Sequence, residues 1–425
     1  MSARSLAVAL LTLVVGVAIG VQLSRPGATV GTPPAPAAGP AVAGEKGGQD
    51  QTGPYTVVEN WPKPLAQLPG HEKWTWGAVQ GIFAESANRV YVLMRGELPA
   101  LERPAEVPYP AVGPSLSFPV SQTPFRNASV GPLSSPGNSG SDGWNGWKGK
   151  LGVDARWEHC LFIVDADGNI VDAWTQWDEI FRRPHSVFIN PYDAEKHVWV
   201  VDDRQHAVYK FTNDGSQLVQ TLGVRGVPGT DATHFNRPTF LAWLPDSTLY
   251  VSDGYANTRV VKFDKDGKFL LTWGEKSVTP RDTTPGTFNA VHGVVVDPDT
   301  RRVYVTDREN ARIQVFDENG TYLDQFPTGF PSTPQVLYLS ADKHLWTVDN
   351  DTSKVVKYDL NGRYQYSWGS RGDWPGAFWN VHGMSVDPDG NLYIAEVNNG
   401  RAQKFRPRPG ASPALVVGTP LRAAW

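Results

Sequence analysis

Cysteine is almost absent. Cys160 is the one thiol in 425 residues, which excludes an intrachain disulfide and any cysteine-based zinc cluster. It lies in the apolar run EHCLFIVDADG and reads as a small core residue. An excess of charge of either sign is missing too. Lys and Arg number 39 against 43 Asp and Glu, so the chain lacks the basic footprint of a nucleic-acid binder, and no nucleic acid is expected among its partners. The apolar run from Ser5 to Val21 is short for a membrane span and follows one early basic residue, Arg4. Residues 1–24 therefore read as a secretory signal peptide or an uncleaved N-terminal membrane anchor, and either sends the rest of the chain outside the cytoplasm. Residues 25–54, rich in Pro, Ala and Gly and without hydrophobic periodicity, read as a flexible tether.

What the chain has is a repeat. From Val291 to Phe326 the sequence VHGVVVDPDTRRVYVTDRENARIQVFDENGTYLDQF offers four short β-branched or alternating strands, separated by turn residues. The position of His292 recurs at Gln80, His185, Thr239, Gln335 and His382, giving six units. From His185 onward the copies lie 43 to 54 residues apart, the length a four-stranded blade needs. A single blade cannot bury both faces, so the units must stack in a ring, and the fold class is all-β, a six-bladed β-propeller over residues 55–425. The sixth unit runs into RPRPG before an outer strand is visible, so Tyr55–Val58 is expected to supply that strand and close the ring. Within the first unit, residues 98–149 form an insertion dominated by Pro, Ser, Gly and Asn, and Trp144 and Trp147 near its end could cover the channel mouth or pack on the insertion itself.

Histidine fills the repeat position in the second, fourth and sixth units only. Alternate blades of a six-bladed ring stand about 120° apart, with this position at the start of the innermost strand, so three imidazoles converge on the axis. One such histidine would ordinarily be satisfied by its own turn. Three in register make a metal site: His185, His292 and His382, with a position left open as in catalytic zinc centres. The turn after each second strand returns to the same face, which adds Arg95, Asp203, Arg204, Tyr255, Asn257, Arg308, Asn398 and Asn399. Guanidinium groups there match a carboxylate-bearing substrate. His197 and His344 fall in turns on the opposite face and read as surface residues, and His206 sits on the site face in a turn role.

SDGYANTRVVKFDKDGKFLLTWGE followed by VHGVVVDPDTRRVYVTDRENARIQVFD resembles the catalytic core of the peptidyl-α-hydroxyglycine α-amidating lyases, within the NHL-repeat propellers. The resemblance implies zinc on His185, His292 and His382, Tyr255 as the base, and Arg95 and Arg308 as substrate-binding residues. The implied reaction cleaves the C–N bond of a carbinolamide to give an amide and glyoxylate. Where the animal enzymes carry Met-Pro-His-Asp at the third zinc ligand, this chain has Asn380-Val381-His382-Gly383. The calcium that the resemblance would imply therefore lacks its Asp. No copper monooxygenase domain, the supplier of hydroxyglycine substrate in bifunctional relatives, is found in these residues. Two other functions stand beside the lyase. One is a non-catalytic propeller binding a protein, glycan or cell-wall partner. The other is a lactonase-type hydrolase, which would want a carboxylate-rich calcium site where this chain offers His, Gln and Thr.

Overall fold

Short β-branched runs broken every few residues by Asp, Asn and Gly cannot extend into long strands, and the computed structural model shows what they build instead: six four-stranded antiparallel sheets in a propeller. Residues 50–99, 106–108, 117–119, 156–329 and 331–421 are described, all within one unit, Ala41–Trp425. The apolar N-terminal run, most of the tether and Trp144 and Trp147 lie outside the described residues.

The six innermost strands are Val79–Ser86, Pro184–Ile189, Pro238–Trp243, Val291–Asp297, Pro334–Leu339 and Val381–Val386. Blade one takes its third and fourth strands from Leu161–Val164 and Ile170–Ala173, so the Pro/Ser/Gly-rich segment is spliced between its second and third strands. Tyr55–Val58 pairs antiparallel with Arg401–Pro407 as the outer strand of blade six, closing the ring. The closure is well anchored. Tyr55 is 1% exposed, packs on Trp368 and Phe405, and its hydroxyl accepts a hydrogen bond of 2.7 Å from the Val417 amide.

Two local devices set the geometry at the axis. In every blade the pairing between the first two strands slips at the repeat position, skipping His185, His292 and His382 in the blades that carry histidine. A bulge frees its residue from the ladder and re-aims the side chain, here toward the channel. The acidic residue ending the second strand then clamps the loop that leads into the inner strand. Asp202, Asp253, Asp307, Asp349 and Glu396 accept from the backbone N–H of Arg182, Asn236, Asn289, Thr333 and Trp379, at 2.6 to 2.9 Å. These carboxylates are buried and hydrogen-bonded, so they add rigidity rather than unsatisfied charge.

Two sequence expectations are corrected. His197 is 7% exposed rather than a surface residue, because the turn folds Asp193 and Glu195 over it, with Nδ1 2.7 Å from Asp193 and Nε2 3.2 Å from Glu195. His344 opens the second strand of blade five rather than sitting in the turn before it, is partly exposed and pairs with Asp342 at 3.0 Å. Cys160 is fully buried, and burial pushes its thiol well above the ordinary range, which disfavours the thiolate.

Candidate metal centre

The bulges deliver three histidines to one place. The imidazole centroids of His185 and His382 lie 4.4 Å apart, those of His292 and His382 5.0 Å, and those of His185 and His292 5.2 Å. Each ring is fixed by a neighbouring blade. His185 Nδ1 is 2.9 Å from the Thr239 carbonyl, His292 Nδ1 is 2.5 Å from that of Gln335, and His382 Nδ1 is 2.9 Å from that of Gln80. Histidine in even blades and a backbone acceptor in odd blades thus form one device repeated around the ring. A carbonyl only accepts, so each Nδ1 carries the hydrogen and each Nε2 keeps its lone pair. That is the tautomer of a metal-ligating histidine held by an outer hydrogen bond. Phe240 underlies all three rings, 4.9 to 5.9 Å from them, and keeps that side apolar.

Burial keeps these imidazoles neutral. It pushes His382 down to about 3 and His185 and His292 well below their usual value, with the neighbouring guanidiniums adding to the effect. The centre is short of donors. Tyr255 Oη lies 3.1 Å from His185 Nε2 and 3.0 Å from His292 Nε2, yet a phenol has one hydrogen and can satisfy only one of them. Three lone pairs facing one donor fit a cation, and three neutral imidazoles fit zinc.

Tyr255 is placed by its neighbour Gly254. A Cβ there would lie 1.5 Å from the Val291 carbonyl oxygen, so only glycine lets the SDGY turn approach the blade carrying His292. The Tyr255 ring has three guanidiniums around it, Arg237 at 4.8 Å, Arg308 at 5.1 Å and Arg183 at 5.9 Å, and Arg308 Nη1 reaches its oxygen at 3.4 Å. Asp203 holds two of them in place, pairing with Arg237 at 2.9 Å and Arg183 at 3.3 Å. Arg95 is buried beside them, and burial, then the Arg183 charge, push its pKa well down. Asp203 and Asp202 act in the opposite direction and favour its charge. Arg308 leans on Glu309 at 2.8 Å.

Above this lies a cleft of about 600 Å³ whose walls include Arg95, Arg183, Arg237, Arg308, Arg371 and Trp379. Of the sequence candidates, Arg95, Tyr255, Arg308, Asn398 and His382 line it directly. Arg204, Asn257 and Asn399 do not. Asn257 ties its turn to Asp253 and the Gly229 carbonyl, and Asn399 to Glu396 and the Gly372 carbonyl. His206 accepts from the Arg237 amide at 3.1 Å and so supports the loop carrying that arginine. Sequence reasoning missed Arg183, Arg237 and Arg371. A signal existed for the first two, since Arg-Pro precedes the repeat position in both blade two and blade three.

Comparison with known proteins places the chain among NHL-repeat propellers. The NHL repeat model matches residues 288–316. NHL repeat-containing protein 3 of Mus musculus is 30% identical over 276 residues, 60% of this chain and 75% of that protein. The chain belongs to the NHL-repeat β-propeller family. It is also similar to peptidyl-alpha-hydroxyglycine alpha-amidating lyase 1 of Drosophila melanogaster, at 30% identity over 274 residues, 60% of this chain and 49% of that protein. The chain thus spans about half the length of that relative. Among solved structures, a streptogramin B lyase aligns over 83% of this chain and 98% of its own, with a TM-score of 0.46 and 12% identity.

Proposed function

We propose that the protein is a zinc-dependent, extracytoplasmic lyase that cleaves the C–N bond of a carbinolamide of the peptidyl-α-hydroxyglycine type, releasing an amide and glyoxylate. The observation carrying this reading is the donor-poor axial centre, with three carbonyl-fixed imidazoles, one phenol and a rim of guanidiniums above. Similarity to the Drosophila amidating lyase supports it. His185, His292 and His382 would hold the metal, which supplies Lewis-acid polarisation of the substrate's α-hydroxyl group.

The chain's own residues do the rest. Arg95 and Arg308, both lining the cleft, receive and orient the substrate carboxylate. With a metal on the three Nε2 atoms, Tyr255 would act as its phenolate, held by Arg308, taking the α-hydroxyl proton and passing it on to the departing amide nitrogen. The oxygen's electron pair forms the aldehyde C=O as the C–N bond breaks, and the amide nitrogen takes up one proton, so no net proton is consumed. Phe240 and the ring of inner strands close the floor against water.

The test is direct. Purified protein reconstituted with Zn²⁺ is incubated with an N-acyl-α-hydroxyglycine peptide, and glyoxylate and amide are measured. Equal amounts of both, lost in His292→Ala, are expected. A fully metallated protein that releases neither would overturn the lyase and favour a propeller that binds its partner without chemistry.

A further inference from the structure

Outside the axial centre the described residues bring together a second set of metal-binding side chains: His71, Glu97, Glu158 and His159, with ligand atoms all within 4.8 Å of one another. They come from three separate stretches. Glu97 opens the short strand Glu97–Pro99, which pairs with Trp74–Trp76, and the His71 carbonyl caps the turn into the latter by accepting from the Trp74 amide at 2.8 Å. Glu97 also exchanges two backbone hydrogen bonds with Arg156, of 2.7 and 2.9 Å, and this brings Glu158 and His159 alongside. His159 adopts a left-handed backbone, φ 56°, with its amide held 3.1 Å from the Asp178 carboxylate. A non-glycine residue is held there only where its surroundings enforce it.

The geometry is centred on Glu97, whose side chain is fully buried. One oxygen faces His71 Nδ1 at 2.9 Å, the other His159 Nδ1 at 2.6 Å, and the two rings meet edge to face with centroids 4.9 Å apart. Two imidazoles thus clasp one buried carboxylate, a set that demands positive charge between them. Glu158, exposed, stands at the open side. Two nitrogens and two carboxylates are the ligand set of a zinc-class divalent ion, whereas calcium and magnesium favour all-oxygen shells.

We propose that His71, Glu97, Glu158 and His159 bind a second, structural divalent cation of the zinc class. The ion takes the place of the hydrogens between the two Nδ1 atoms and Glu97, each neutral imidazole keeping its one hydrogen on Nε2. It fastens the segment before blade one to both feet of the insertion that leaves after Pro99 and returns at Arg156, and it stiffens the turn that carries Arg95 two residues upstream of Glu97. This site shares no ligand with the axial centre, and its occupancy can be read without a lyase assay.

The experiment uses the full chain carrying His292→Ala, reconstituted with excess Zn²⁺, freed of unbound metal by gel filtration and analysed for metal per chain. One retained zinc is expected, lost when His71→Ala is added. His71 is at the edge of the cluster, 12% exposed, so the double variant keeps its fold, which circular dichroism checks. In parallel, Co²⁺-loaded His292→Ala should show a visible ligand-field spectrum that the double variant lacks, and a chelator should lower the melting temperature of the first but not of the second. A folded His292→Ala protein that retains no ion would overturn the proposal. So would an ion that persists undiminished after both His71→Ala and His159→Ala.

Discussion

Tyr255→Phe separates chemistry from architecture at the axial centre. The substitution removes one oxygen, which lies 3.0 Å from His292 Nε2, 3.1 Å from His185 Nε2 and 3.4 Å from Arg308 Nη1. The ring remains, with its contacts to Arg237 and Arg308. Loss of one hydroxyl hydrogen bond costs about 1 kcal/mol of stability, too little to unfold a six-bladed ring. Loss of a positioned proton acceptor costs about 10²- to 10⁴-fold in rate, or roughly 3–5 kcal/mol of transition-state stabilisation. The three imidazoles keep their carbonyl partners, so zinc content should be unchanged. The assay is glyoxylate release at saturating substrate, with metal per chain measured on the same sample. A kcat within about 5-fold of wild type, with metal intact, would refute the assignment of Tyr255 as the base.

Removing residues up to Val58 should lower the melting temperature sharply relative to a chain starting at Asp50, since it strips the outer strand of blade six and the buried Tyr55 ring, an aromatic burial worth about 3–5 kcal/mol by itself. Equal melting curves would mean the closure is dispensable. Gly254→Ala should destabilise by more than about 2 kcal/mol and reduce activity together, because the new Cβ meets the Val291 carbonyl oxygen at 1.5 Å. A variant with wild-type melting and rate would show that the SDGY turn relaxes freely. The metal-free protein should lose stability as pH falls below about 6.5, where the unfolded chain gains protons that His185, His292 and His382 cannot accept while buried, His382 down to about 3. His382 contributes at most about 1.4 kcal/mol per pH unit between its ordinary value and about 3, and His382→Gln should flatten the dependence. An unchanged slope in urea titrations would contradict neutral burial.

The ring and the convergence of three histidines were legible because both are matters of register. The strand period fixed the blade count, and histidine at one position in alternate copies fixed convergence on the axis, without any side-chain contact being known. What the sequence did not show is why the alternation works. The acceptors for Nδ1 are backbone carbonyls of Thr239, Gln335 and Gln80, and a backbone acceptor leaves no residue-specific mark. Arg183 and Arg237 reach the site from loops before the inner strands rather than from the turns after the second, and their shared Arg-Pro signal was the one clue. Arg371 and Trp379 lie in a loop outside the repeat pattern, so no period points to them. The His71, Glu97 and His159 cluster is assembled across the insertion by strand pairing that begins only once the chain has folded. His197 was read as exposed because turn residues usually are, whereas two acidic neighbours fold over it.

The most direct measurement is metal per chain in zinc-reconstituted wild type beside His292→Ala, both freed of unbound ion and confirmed folded. His292 supplies one of three convergent lone pairs, so its loss should remove one zinc per chain and all glyoxylate release. Equal metal content in the two proteins, or activity surviving in the variant, would contradict an axial zinc centre as the heart of this propeller.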